Sequence, residues 1–179
     1  MESINREAVL EEARLALAVG KGIYEDNLYR RLHALAESGD EAAKAFFVIT
    51  LRSEDPDWRL EAVRNLGFHY YLKPDIAIVA QIRHLLVSDP DDDVRLAAAA
   101  VLGIRSMWPD KALYHAMTDD SNEFVRLATF ESLLALAGKS YNEVRRIMAR
   151  IGSGELPVTR ESLKALIGEK YSELVEDNN

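Results

Sequence analysis

Asp89-Pro90-Asp91-Asp92-Asp93-Val94-Arg95-Leu96-Ala97-Ala98 decides how this chain folds, because the chain writes the phrase three times. Upstream it reads Asp55-Pro56-Asp57-Trp58-Arg59-Leu60-Glu61-Ala62, and downstream, more loosely, Asp119-Asp120-Ser121-Asn122-Glu123-Phe124-Val125-Arg126-Leu127-Ala128. Registered on Arg59, Arg95 and Arg126, the copies stand 36 and 31 residues apart. Self-similarity at that period signals a stacked array of helical repeats. The aspartate at the head of each copy suits a helix start: its carboxylate accepts a hydrogen bond from a free N–H and its charge faces the positive end of the helix dipole. Trp58, Val94 and Val125 stand immediately before the arginines and are expected to point inward against adjacent repeats. Ala62, Ala97, Ala98 and Ala128 let neighbouring helices approach closely. Each arginine is expected within reach of the acidic cap of the next repeat.

Outward from this phrase, apolar residues recur at spacings of three and four, with no sustained alternation of the strand kind. Short Gly, Pro, Asp and Ser punctuation separates the helices. Before the repeats, Ser3 is expected to cap a helix to about 19, Asp26 to open a second to about 37, and Asp40 to cap a third to about 52. Each repeat then has a first helix (A) at the acidic cap and a second (B) after a short turn. The A helices are expected over 56–66, stopped by Gly67; over 92–102, closed by Gly103; and over 122–137, closed by Gly138. The B helices are expected over 74–87, with Pro74 in the first turn, over 109–117, and over 141–151. Thr159 caps a last helix to about 175. The fold class is all-α, a right-handed α-α superhelix of about ten helices in antiparallel pairs. Residues 1–179 form a single domain: 1–52 are capping helices or degenerate repeats, 53–151 three repeats, and 152–179 a capping helix and tail.

The 179 residues balance 48% apolar against 29% charged side chains, a globular proportion. The formal net charge of -8 disfavours non-specific binding to nucleic acid or an anionic membrane, both of which need a positive field. There is no cysteine, which excludes disulfides and thiolate metal sites and favours the cytoplasm. No basic-then-apolar leader and no apolar run of membrane-spanning length is visible, so the expectation is a soluble cytoplasmic protein.

The pattern Asp-Pro-Asp-x-x-Val-Arg-x-x-Ala-x-x-x-Leu-Gly resembles HEAT-type repeats, in particular the short variant of phycobilisome-lyase-like proteins. Residues 89–103 match best and 55–67 nearly as well; the third copy lacks the proline and has Leu134 in place of the glycine. The likeness covers roughly 53–151. It implies that the valine is an inward plug and the arginine part of a ladder between repeats. It carries little chemistry, since the family spans scaffolds, inhibitors and a few enzymes.

In HEAT-like solenoids the B helices line the concave face. Their polar sides offer Gln81 and His84, then Lys111, Tyr114 and His115, then Asn142, Arg145 and Arg146, a locally positive strip on an acidic protein. Arg and Tyr are enriched at binding hot spots. The competing reading is the solvated side of ordinary amphipathic helices. His84 and His115 come from successive B helices, but no i, i+4 ligand pair accompanies them, so no metal site is expected. His33 and His69 have no partner visible in sequence. Phe68-His69-Tyr70-Tyr71 reads as a plug between helix pairs, Trp58 as core, Trp108 as undetermined, and Phe46-Phe47 as one buried ring and one near the surface. Gly20-Lys21-Gly22 is a helix terminus rather than a phosphate loop. The acidic runs lack the glycine and terminal glutamate of a calcium loop.

Two functions of different class follow. The first is a non-catalytic protein–protein interaction module that captures a protein partner on the concave B-helix face, as an adaptor, an inhibitor or an immunity-like binder of a basic toxin, with no cofactor. The alternative is an enzyme or enzyme subunit. By resemblance that means a phycobilin-lyase-like chromophore-handling protein or a HEAT-like DNA glycosylase, the latter in conflict with the acidic charge.

Overall fold

The computed structural model describes residues 5–70 and 75–175. Among them every regular element is helical: eleven α-helices and one 3-10 turn. The chain forms two compact units, 1–78 and 79–179.

In the first unit lie α1 (Arg6–Ala18), α2 (Leu28–Glu37), α3 (Glu41–Thr50) and α4 (Pro56–His69), with the 3-10 turn Glu25–Asn27 between α1 and α2. Asn5 caps α1 by accepting from the Ala8 N–H at 3.2 Å; the Ser3 cap expected there lies outside the described residues. Asp26 does not open α2. It and Asn27 adopt positive φ, 51° and 59°, a left-handed geometry that Asp and Asn tolerate better than most residues, and the helix begins only at Leu28. Asp40 caps α3 as expected, accepting from Ala43 N–H at 2.9 Å. α2 packs on α1, α3 and α4, and α3 on α4, around Leu28, Leu32, Phe47, Trp58 and Val63. Phe46 joins Phe47 in the core, so both rings are buried rather than one.

α5 (Ile76–Ser88) spans the boundary between the units. The Asp75 carboxylate caps it, accepting from Ala77 and Ile78 N–H; Pro74 lies outside the described residues. The second unit continues with α6 (Asp92–Arg105), α7 (Lys111–Asp119), α8 (Glu123–Leu136), α9 (Tyr141–Gly152), α10 (Arg160–Ile167) and α11 (Lys170–Val175). α8 is its hub, packing against α6, α7, α9 and α10, while α11 lies on α7 and α10. Gly168, at φ 61°, divides the expected last helix in two. Ser140 and Glu143 form a reciprocal capping box at α9. Helices paired with their chain neighbours in this way, with no strand among the described residues, make the all-α packing of a short solenoid.

Two expected stops do not end their helices. Gly67 and Gly103 both lie inside their helices. A Cβ on Gly103 would stand 2.8 Å from the Cβ of Ser132 on α8 and closer still to its hydroxyl. The missing side chain brings α6 and α8 together, and the Ser132 hydroxyl donates to the Ala99 carbonyl across that contact at 3.0 Å. Gly138, at φ 90°, does end α8.

Candidate partner-binding surface

The repeated phrase is structural throughout, and the reason is one loop geometry used three times. The residue six before each arginine accepts a hydrogen bond from the backbone N–H two residues on: Ser53 from Asp55 at 3.2 Å, Asp89 from Asp91 at 3.0 Å, and Asp120 from Asn122 at 2.8 Å. Asp55, Asp91 and Asn122 are then the N-caps. The cap of the second repeat is therefore Asp91 and not Asp89. Each arginine turns back over this loop and donates to two carbonyls: Arg59 to Ser53 and Glu54, Arg95 to Asp89 and Pro90, Arg126 to Asp120 and Ser121. Arg95 also grips the Asp120 carboxylate with two bonds, of 2.8 and 3.0 Å. That is the expected ladder to the next acidic loop. Burial pushes the Asp120 carboxyl up; the Arg95 guanidinium and the Asn122 N–H outweigh it, so the net shift is downward. Trp58, Val94 and Val125, one residue before the arginines, are all fully buried. Trp58 also donates through Nε1 to the Lys21 carbonyl at 3.0 Å. The small residue of the third repeat is misplaced by one position in the sequence reading: Thr129 is fully buried, whereas Ala128 is half exposed.

The eight strip residues all belong to the second unit, and their partners are mostly local. Gln81 is half-buried, with its carbonyl oxygen unpaired. His84 is exposed one turn from Ser88, whose hydroxyl donates to the His84 carbonyl. Lys111 is half-buried at the start of α7. His115 is exposed, with Asp119 at 4.0 Å. Arg146 donates to the Asn142 carbonyl at 3.2 Å, and the Arg145 guanidinium stacks over the Tyr141 ring at 5.7 Å. Tyr114 departs from the expected exposed strip. It is 6% exposed, because α11 folds onto α7 and brings the Tyr171 hydroxyl to 2.8 Å from its own, ring edge to ring face. Burial first, then that hydrogen bond, push the Tyr114 phenol up to about 12. Arg145 and Arg146 also part company: at about 100° per residue they leave α9 on different sides, Arg145 with Tyr141 and Arg146 with Asn142.

Several groupings were not legible in the sequence. Arg83 on α5 donates to the Asp110 carboxylate at 2.8 Å and to the Ser106 hydroxyl at 2.7 Å, and the Ser106 hydroxyl closes the triangle onto Asp110. Asp110, almost fully buried, also caps α7 through Ala112 and Leu113 N–H; an Asp after Pro109 was the available signal. Trp108 donates to the Glu173 carboxylate at 3.0 Å. His33 and His69 meet edge to face at 4.5 Å, and His33 lies 3.1 Å from the Asn65 side-chain oxygen. Burial, then the neighbouring His33, push the His69 imidazole down. Phe68, His69 and Tyr70 are half-buried, and Tyr70 donates to the Asp40 carbonyl at 2.8 Å; Tyr71 lies outside the described residues. Among the described residues no group of His, Asp and Glu is placed to hold a metal ion, and no helix is long and apolar enough to cross a membrane.

Paired helices, a thrice-used capped loop and a repeated inward residue define a helical-repeat protein. The HEAT-repeat family model matches residues 43–134, about half of the chain, and the chain belongs to the HEAT-repeat family. No curated protein and no solved structure matches it.

Proposed function

We propose that this chain is a non-catalytic binding module that captures a protein partner on the polar side of its B helices, through Gln81, His84, Lys111, His115, Asn142, Arg145 and Arg146, with Tyr114 a support beneath them. The observation that carries the reading is the contrast between two sets of arginines. Arg59, Arg83, Arg95 and Arg126 are tied to carbonyls and carboxylates of the fold. Arg145 and Arg146 are exposed on α9, and among the described residues neither has a carboxylate within salt-bridge distance; Arg145 stacks on Tyr141 and Arg146 donates to the Asn142 carbonyl, each one turn back on the same helix. Exposed guanidiniums held only by neighbours on their own helix are the groups that a partner's carboxylates and carbonyls engage. A helical-repeat scaffold supports this use, because repeats leave extended surfaces for binding.

The test is affinity capture from native lysate by the wild-type chain and by Arg145→Glu/Arg146→Glu, followed by mass spectrometry and calorimetry on the purified partner. A partner held by the wild type and lost by the double variant supports the strip. A partner held equally by both removes it.

A further inference from the structure

We infer that His33 and His69 form an acid-sensitive latch between α2 and α4: their rings pack at neutral pH and lose that contact as both imidazoles take up protons on mild acidification. The pair lies on helices that carry none of the strip residues, so the latch and the proposed binding surface stand or fall separately.

His33 on α2 and His69 at the end of α4 meet with ring centroids 4.5 Å apart and planes at 87°. The Asn65 side-chain nitrogen donates to the Glu61 carbonyl at 2.7 Å, which leaves the Asn65 side-chain oxygen facing His33 Nδ1 at 3.1 Å. An amide oxygen only accepts, so Nδ1 carries a hydrogen. Asn65 is 2% exposed, and turning its amide over would break buried bonds. The other nitrogen of His33, Nε2, faces the Glu37 carboxylate at 3.5 Å. A proton on Nε2 puts a cation against that carboxylate without moving the ring, so His33 can hold a charge where it stands. His69 has the opposite surroundings. It is half-buried with its ring against His33, so a charge on it meets desolvation first and a like charge second, and Glu37 offsets these only weakly.

The charged groups of the surrounding helices are engaged elsewhere. On α4, Glu61 accepts from the Tyr24 hydroxyl at 2.9 Å and from Arg64 at 3.0 Å. On α1, Glu12 is held by Arg31 with two bonds of 2.6 Å. At α3, Asp40 caps the helix and lies 3.8 Å from Arg6, while Lys44 stands over the Tyr70 ring at 5.9 Å. Among the described residues, Glu37 is the carboxylate within ion-pair distance of the two rings, and one carboxylate cannot neutralise two imidazolium charges. The folded-state pKa of His69 is lowered, whereas a histidine in an open chain titrates near 6.5. The open state therefore binds more protons as pH falls through that value. The stabilisation from the packed pair is complete above it and is lost as pH drops from there through the lower folded value.

NMR titration of the histidine rings in the full-length chain, from about pH 8 to about pH 5, tests this together with amide hydrogen exchange. His69 is expected to titrate below about 6.5. In His33→Asn, which keeps a donor for the Asn65 oxygen, the His69 midpoint should move up. Protection of α2 and α4 amides, taken relative to α8 amides in the same sample, should fall in the wild type between about pH 7.5 and 5.5. In His69→Phe, which keeps a ring but cannot take a proton, that ratio should stay constant. A His69 midpoint at or above about 6.5, a midpoint indifferent to His33→Asn, wild-type protection that does not change with pH, or an equal loss in His69→Phe would each overturn the latch. The His69 midpoint and the wild-type protection need no variant, so the inference can fail even where a substitution prevents folding.

Discussion

Replacing Arg95 by Met tests the grip of a repeated-loop arginine on the acidic loop of the next repeat. In the native fold the Arg95 side chain is 11% exposed and that of Asp120 is 6% exposed, and Nε and Nη2 hold both carboxylate oxygens. Methionine keeps much of the aliphatic stem but removes these bonds and the donors to the Asp89 and Pro90 carbonyls. Asp120 would keep one bond, from the Asn122 N–H. Breaking a buried pair by removing one member costs about 3–5 kcal/mol, because the remaining charge is left desolvated. At the lower figure, and at 2–4 °C per kcal/mol for a chain of this size, the melting temperature should fall by roughly 6–12 °C. The pH dependence has a definite sign. The folded-state pKa of Asp120 is lowered, so its stabilisation is complete above the unfolded value, about 4, and is lost as pH falls through the folded value. Without Arg95 the carboxyl loses its largest lowering partner and titrates higher than in the wild type. The stability gap between wild type and Arg95→Met should therefore be widest near neutrality and narrow on acidification towards about pH 3. Urea denaturation across that range, with Asp120→Asn and the double variant completing a mutant cycle, measures it. A loss below about 1 kcal/mol, or a gap that does not change with pH, would refute the buried-clamp reasoning.

Three further outcomes are expected. Val94→Asp places a carboxylate at a fully buried position and should cost roughly 3 kcal/mol or more by chemical denaturation; an unchanged melting temperature would contradict the register of the repeat. Gly103→Ala should destabilise, although alanine in a helix interior ordinarily gains about 1 kcal/mol over glycine, because the new Cβ meets Ser132; Ser132→Gly in the same chain should recover part of the loss, and a stabilised single variant would show that α6 and α8 do not need the close approach. Arg145→Glu/Arg146→Glu should leave the denaturation midpoint within about 0.5 kcal/mol of wild type, as expected for exposed positions, while removing partner capture.

The local features were legible because they are set by neighbours in the chain. In each of the three repeats the Asp or Asn four residues before the arginine caps the helix, and Trp58, Val94 and Val125 fall on the buried side by helix period alone. The same logic located α3, α8 and α9 to within a residue or two. It failed where a residue has two uses. Glycine signals a helix end and also a close approach, and nothing nearby in sequence distinguishes Gly138, which ends α8, from Gly103, which admits Ser132. Asp26 looked like a cap, yet the backbone there takes a left-handed path into a 3-10 turn.

The strip shows the same division. Its residues were found from helix period, but exposure depends on what returns from far along the chain. Tyr114 has a polar tip on the solvent side of an amphipathic helix, and it is buried because Tyr171, 57 residues on, folds over it. Arg83 looked unremarkable and is anchored by Asp110, 27 residues away. Sequence by itself determined helices, caps, inward residues and the repeat, since these follow from the i to i+4 geometry of a single helix. Only the tertiary structure decided which polar side chains are anchored from afar, because that depends on long-range packing that brings a distant carboxylate or carbonyl to one arginine and leaves another exposed with neighbours on its own helix.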